Sequence, residues 1–402
     1  MVRYSILLLP LLLGLTHSPA ASQPRQTEAD AYTRYELLAP DSHKFRIAYE
    51  ITATTAGAVA YYNPIRPGSI ASDERVTDRA TGVPLAFGEV DGTTASAGGV
   101  SGASPDDRYI QVKLAQRVPA GGGEGRVLID KTYEDAKSYY RQGDLIVFDR
   151  SLGNKRNAIV LPEGYELVSV NVPSQVLQEP DGRIKVAFWN DGAAEAPLVV
   201  KARLAPGFGD GRVSSMAALL NERAHQNRKI VYYLDQPETH RFSLTHDYTE
   251  SRPGISTYVN IVRAGSTVSN PSARNLDTGA ALAGEMIRGA AVKEAEPEAT
   301  DINSDSIAVL FRFPPVKAGQ SVRLRIAETY ADPARYGLTG NELVWHRSFG
   351  RPANAVVLPA GWILTNSSVP ATVELLDDGR TRLDFTNPRD DEIDTIITAR
   401  RR

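Results

Sequence analysis

The chain repeats itself at a fixed spacing, and that repeat constrains its folding more than any other feature. Tyr35, Leu37, Pro40, His43 and Phe45 return 197 residues later as Tyr232, Leu234, Pro237, His240 and Phe242. Tyr61, Asn63, Arg66, Gly68 and Ser69 return as Tyr258, Asn260, Arg263, Gly265 and Ser266. The longest echo runs from Arg150 and Ser151 through Gly153, Asn157 and Leu161 to Gly164, and returns from Arg347 and Ser348 to Gly361. At this one offset, residues near 32–201 and 229–398 align without a gap. A repeat far above 50 residues is a duplicated domain, not a solenoid unit that needs neighbours to bury its core. Residues kept in both copies read as architecture. Residues that one copy alone carries mark where a distinct function would sit.

The local pattern points to strands. Phe45, Ile47, Tyr49 and Ile51 alternate with polar neighbours, as do Val127 and Ile129, Leu324 and Ile326, and Ile184, Val186 and Phe188. A period of two is the mark of half-buried antiparallel strands. Pro180-Asp181-Gly182, Asp377-Asp378-Gly379, Pro162-x-Gly164 and Thr81-Gly82 supply turns between them. Short strands, Gly and Pro turns, and no alternation with amphipathic helices give an all-β fold of two tandem homologous β-sandwich domains. The first spans 29–204 and the second 229–402. A linker, 205–228, lies between them, with a short helix over Ser214–Arg223 opened by a serine cap. The Gly/Ser/Ala-rich stretch 91–105 and Gly121-Gly122-Gly123 read as mobile loops, and the acidic tract Glu294 to Glu298 as solvated.

Residues 1–20 have the layout of a secretory signal peptide: Arg3, an apolar run from Ile6 to Leu15, and Ser18-Pro19-Ala20 as a cleavage site. The apolar run is half the ~20 residues needed to cross a bilayer, and no other run approaches that length, so no transmembrane segment is expected. The expected destination is the periplasm or the extracellular medium. The sequence contains no cysteine, so each domain must be held by its own core rather than by disulfides. Removing Arg3 with the signal leaves 44 basic against 48 acidic residues, with no basic stripe. Nucleic acid is therefore not an expected partner, because phosphate binding needs clustered Lys and Arg. Neither Gly-rich stretch precedes a helix carrying Lys-Ser/Thr, and no cofactor is implied.

Among the shared residues, Asn63/Asn260, Arg66/Arg263, Arg150/Arg347, Asn157/Asn354 and Asn190/Asn387 sit beside shared Gly and Pro markers. They read as turn-closing and carbonyl-holding scaffold. The copies differ most in one strand. Where the first has Phe45, Ile47, Tyr49, Ile51 and Ala53, the second has Phe242, Leu244, His246, Tyr248 and Glu250 on the same parity. Glu328 replaces Lys131, and His346 replaces Asp149. His246, Tyr248, Glu250, Glu328 and His346 thus form the candidate catalytic set, with His246 as base, Glu250 or Glu328 as acid and Tyr248 as donor. A metal would need His346 or Glu328 to converge from other strands, since His240, His246 and Glu250 spread along about 30 Å of extended chain at ~3.3 Å per residue. No serine nucleophile elbow and no HExxH pair is present.

These observations favour a non-catalytic binding or accessory protein for an envelope or extracellular polymer, such as a polysaccharide, or for an envelope protein. The alternatives are a polysaccharide hydrolase or lyase with its site in the second repeat, and a structural assembly subunit pairing through edge strands. An enzyme should gather His246, Glu250 and Glu328 or His346 in one open concavity, whereas a binding module should present an aromatic patch or groove. Each copy exceeds the size at which single cores become marginal. Residues 29–204 and 226–402 expressed alone should therefore each give a cooperative melt; broad, non-cooperative melts would mean that the copies complete each other.

Overall fold

Alternation along the strand Lys44–Ala53 buries Phe45, Ile47, Tyr49, Ile51 and Ala53 on one face. Its counterpart Arg241–Glu250 buries Phe242, Leu244, His246, Tyr248 and Glu250 in the same way. Around these two central strands the described residues build six sheets. The computed structural model describes residues 28–192, 194–205 and 220–402. The signal-peptide segment 1–20 and the part of the linker helix candidate over 214–219 lie outside the described residues.

The fold is all-β, with each repeat made of one long sheet covered by two short ones. In the first repeat a seven-stranded sheet runs in the order Gln175–Gln178, Ile184–Trp189, Arg156–Val160, Glu28–Leu37, Lys44–Ala53, Gly125–Glu134, Ile70–Asp78. A three-stranded sheet (Ala60–Ile65, Arg108–Lys113, Phe87–Asp91) covers one end of its inner face, and a four-stranded sheet centred on Leu145–Leu152 and Ala196–Leu204 covers the other. The second repeat has an eight-stranded sheet with three- and four-stranded covers in matching order. Nearly all pairings are antiparallel, as the alternation predicts. The exceptions are Glu28–Leu37 with Arg156–Val160, and Arg228–Leu234 with Ala353–Val357, which run parallel. Each parallel pair joins the two halves of a long sheet after a connection of more than a hundred residues.

The two short sheets meet end to end over the central strand. Phe45 packs against Phe148 of the four-stranded sheet at a centroid distance of 5.3 Å. Four residues further along the strand, Tyr49 lies under Tyr61 and Tyr62 of the three-stranded sheet in one shared cavity wall. In the first repeat the core runs unbroken beneath both covers. In the second it divides into a cluster around Phe242 and Trp345 and another around Tyr248, Phe311 and Ile326. The division falls where His246 separates Leu244 from Tyr248 and Glu328 separates Ile326 from Tyr330.

Four readings from sequence need correction. The offset of 197 is not constant. Asn63 pairs with Ile110, whereas Asn260 pairs with Val309, so the strand Ile307–Arg312 is displaced two residues beyond the fixed offset. The two-residue slip is reversed before Val322–Ala331, which hides it from a gap-free alignment. The stretch 91–105 is not wholly loop, because Asp91 caps a helix Gly92–Ala97 by accepting from the Thr94 N–H at 2.8 Å. Leu220–Arg223, the described end of the linker helix candidate, is not helical. Those residues are instead pinned. Glu222 accepts from Tyr32 Oη at 2.7 Å on the first repeat, while Arg223 donates to Gly350 O at 3.1 Å on the second.

The fourth correction concerns Gly121-Gly122-Gly123, which is packed into the contact between the repeats. Gly121 O accepts from Arg274 at 3.0 Å. The contact is reciprocal. Glu124 N donates to Leu276 O at 2.8 Å, and Ser321, its equivalent, donates from N to Ala80 O at 3.1 Å and from Oγ to Arg79 O at 2.8 Å. The equivalent turn glycines Gly82 and Gly279 both hold φ near +75°, and a Cβ on either would lie 2.9 Å from an atom of the opposite repeat. At the centre Arg126, 5% exposed, grips the Asp277 carboxylate with two bonds of 2.6 and 2.9 Å. A guanidinium this deep stays charged and needs its acid. Asp277→Ala should therefore lower unfolding free energy by about 3–5 kcal/mol in chemical denaturation. The double change Arg126→Met with Asp277→Leu should recover most of it.

Candidate functional site

The second repeat brings four of the five candidate residues to one buried face. His246 is 4% exposed, and its Nδ1 lies 2.8 Å from Tyr258 Oη, while Nε2 finds no partner among the described residues. Burial, reinforced by Arg228, Arg351 and Arg323, holds its pKa well below the ordinary value, so the ring is neutral at physiological pH. Tyr248 donates to Glu250 Oε2 and lies under Arg228, 4.5 Å from the ring centroid. Burial pushes the Glu250 carboxyl up, but hydrogen bonds from Arg252 and Tyr248 outweigh it and hold the group near 2. Glu250 is thus a fixed anion already satisfied by protein donors.

Glu328 stands directly opposite Leu244 in the sheet, diagonal to His246. Its Oε2 accepts from Asn260 Nδ2 at 2.6 Å and Tyr330 Oη at 3.1 Å, and Oε1 has no partner among the described residues. Burial raises this carboxyl from 4.5 to about 7. His346 does not join the others. It lies on Glu342–Phe349 in the four-stranded sheet, where Trp345 takes the buried side and His346 faces out, pairing with Asp394 at 2.8 Å. Among the described residues no cluster of three or more His, Asp or Glu has a metal-holding arrangement. No helix among them is long and apolar enough to cross a membrane.

An open cavity lies elsewhere, in the first repeat, at the seam between the two short sheets. It holds about 530 Å³, within the ~300–1,000 Å³ typical of small-ligand sites. Tyr35, Tyr49, Lys131 and Tyr133 of the long sheet form its floor, Tyr61 and Arg66 come from the three-stranded side, and Arg150 comes from the four-stranded side. Tyr62 and Tyr109 bring the number of lining tyrosines to six. Lys131 is 4% exposed and donates to Asn63 Oδ1 at 2.6 Å and Tyr133 Oη at 3.1 Å. Burial pulls its ammonium down from 10.5 to about 7. Sequence comparison of the copies touched Lys131 only as the residue that Glu328 replaces. The missed signal was its inward parity, since Val127, Ile129, Lys131 and Tyr133 share one strand face.

Lys131 and Glu328 are the same position with opposite charge, held by the same two partners. Asn63 presents its carbonyl to the lysine, and Asn260 turns its amide toward the glutamate. The other shared residues carry structure. Arg150 donates to Asp135 at 3.0 Å and Ser138 at 3.1 Å, and Arg347 donates to Asp332 at 3.2 Å. Asn190 and Asn387 each close a turn by donating to two carbonyls. His43 and His240 both sit at φ 55° behind a short 3-10 turn, with Nδ1 against the carbonyl oxygen of Tyr139 or Tyr336.

No protein family matches the chain, and no curated protein matches it. Among solved structures it is similar to an aminopeptidase N family protein from Idiomarina loihiensis, at 12% identity and a TM-score of 0.27. That match covers 42% of this chain and only 29% of the other. A collagen adhesin from S. aureus matches at 8% identity and a TM-score of 0.16, over 81% of this chain and 86% of that one. Likenesses this weak carry no argument about function.

The raised Glu328 carboxyl has a testable consequence. Its folded pKa of about 7 lies above the unfolded 4.5, so the unfolded chain loses this proton first as pH rises. The stability from the protonated form is present below 4.5 and is lost between 4.5 and about 7, a change on the order of 3 kcal/mol. Glu328→Gln keeps an acceptor for Asn260 and Tyr330 and cannot ionise. The variant should be the more stable protein at pH 8 and should lose this part of the acid-side slope, measured by urea denaturation from pH 4 to 8.

Proposed function

We propose that the protein is an exported, non-catalytic binding protein for an envelope or extracellular polymer or protein, with the seam cavity of the first repeat as its recognition site. The observation that carries this reading is the cavity itself: six tyrosines and three basic side chains around about 530 Å³. Tyrosine offers a large apolar face and a hydroxyl edge with few torsions to freeze, a combination suited to holding hydroxylated ligands. Export rests on the pattern of residues 1–20. A hydrolase or lyase would need its acid and base to meet substrate. His246 and Glu328 are instead buried among tyrosines, Glu250 is ion-paired to Arg252, and His346 lies on another sheet.

The test is a glycan and polymer array probed with the intact mature protein and scored for both binding and product release. Binding without release is the expected outcome. Val100→Trp, which places an indole at the cavity lining, should abolish that binding while leaving the melting temperature within a few degrees of wild type. Binding unchanged in a folded Val100→Trp protein, or release of shortened product, would overturn the reading.

A further inference from the structure

Within the binding reading above, we propose that the seam cavity takes the carboxylate of an acidic sugar, with the ammonium of Lys131 as its counter-ion. An ammonium has three donors. Lys131 places two, on Asn63 and Tyr133. Glu74 on the neighbouring strand Ile70–Asp78 favours its charge through space and Arg150 opposes it, but no carboxylate among the described residues forms an ion pair with it. The other cations of the cavity are committed. Arg150 is held by Asp135 and Ser138, and Arg66 leans on Glu195 at 3.8 Å and on Ser151 O at 3.4 Å. A buried cation with no acid in contact is costly unless a partner arrives with the ligand, and Lys131 lines an open cavity through which one can arrive.

The chemistry narrows the partner. A single ammonium is a point charge and matches one negative charge. A phosphate monoester carries nearly two charges at neutral pH and would leave one of them unmatched. In the second repeat the asparagine–tyrosine pair at this position holds a carboxyl group, with Asn260 and Tyr330 both donating to Glu328. The tyrosine rings around Lys131 supply flat apolar faces edged with hydroxyls, which complement a pyranose with its C–H face and its hydroxyl rim. A carboxylate on such a ring is a uronic acid, whether free or within a polymer.

The experiment is isothermal titration calorimetry of the full mature chain with glucuronate and galacturonate against glucose and galactose, at pH 6 to 9. Trigalacturonate is added to separate polymer from free sugar. The acids should bind at least tenfold more tightly than the neutral sugars at pH 6. Their affinity should fall as the lysine deprotonates above about pH 7, approaching tenfold per pH unit, while the neutral sugars stay flat. Tighter binding of trigalacturonate than of the monomer assigns the site to polymer, and equal binding assigns it to free sugar acids. Lys131→Met should erase the preference for acids. Lys131→Glu, which rebuilds the arrangement of the second repeat, should turn the preference toward glucosamine.

The wild-type comparisons need no variant and decide the proposal even if both substitutions unfold the protein. Equal affinity for acids and neutral sugars, no detectable acid binding at millimolar concentration, or full acid affinity in folded Lys131→Met would each overturn it. Neutral sugars that bind as tightly as the acids and are blocked by Val100→Trp would overturn this inference while leaving the binding reading intact. If no ligand responds to Val100→Trp, both fall.

Discussion

Two short sheets have to cover one long one, and the rest of each repeat follows from how their ends meet. The central strand Lys44–Ala53 is ten residues long and backs both covers. At its start Phe45 packs under the four-stranded sheet, and further along Tyr49 and Ile51 pass beneath the three-stranded one. Where two sheets abut, their side chains cannot interdigitate as they do within a layer, so packing is poorest there. The first repeat leaves this seam open as a tyrosine-lined cavity. The second fills the corresponding region with a hydrogen-bonded polar cluster, and its apolar core divides on either side.

Ionisable groups can persist at such a place because hydrogen bonds are supplied locally. Asn63 with Tyr133, and Asn260 with Tyr330, form a clamp that accepts either sign of charge once the asparagine turns over. Burial moves the lysine and the glutamate toward about 7 from opposite sides, so each lies near the midpoint of its titration at neutral pH. Opposite residues at one position are therefore not a loss of architecture. They are two solutions to one desolvation problem, and the lysine lines an open cavity.

The sequence carried the parity of the central strands well, because burial on one face imposes a strict period of two. It placed Phe242, Leu244, His246, Tyr248 and Glu250 on a common side, and all five are buried. It carried the strand content and most of the turns for the same reason. Long-range placement was less legible. His346 matched the candidate set by residue type, but its strand parity turns it outward next to Asp394. The parallel pairings of Glu28–Leu37 and Arg228–Leu234 leave no local signal, since partner choice depends on contacts far along the chain. The cavity was hidden because it is made by the ends of sheets, and Lys131 among alternating apolar residues was its one visible trace.

The reciprocal contact between the repeats sets a limit on copy number. Turn Thr81-Gly82 with Glu124 in one repeat, and turn Thr278-Gly279 with Ser321 in the other, use the same patch of surface on each. A face-to-face arrangement of equivalent patches consumes both, whereas a head-to-tail one always leaves the next patch free. A third repeat added to either end of this chain would find no vacant counterpart to dock on. A further copy would need a new kind of contact rather than another turn of the same one.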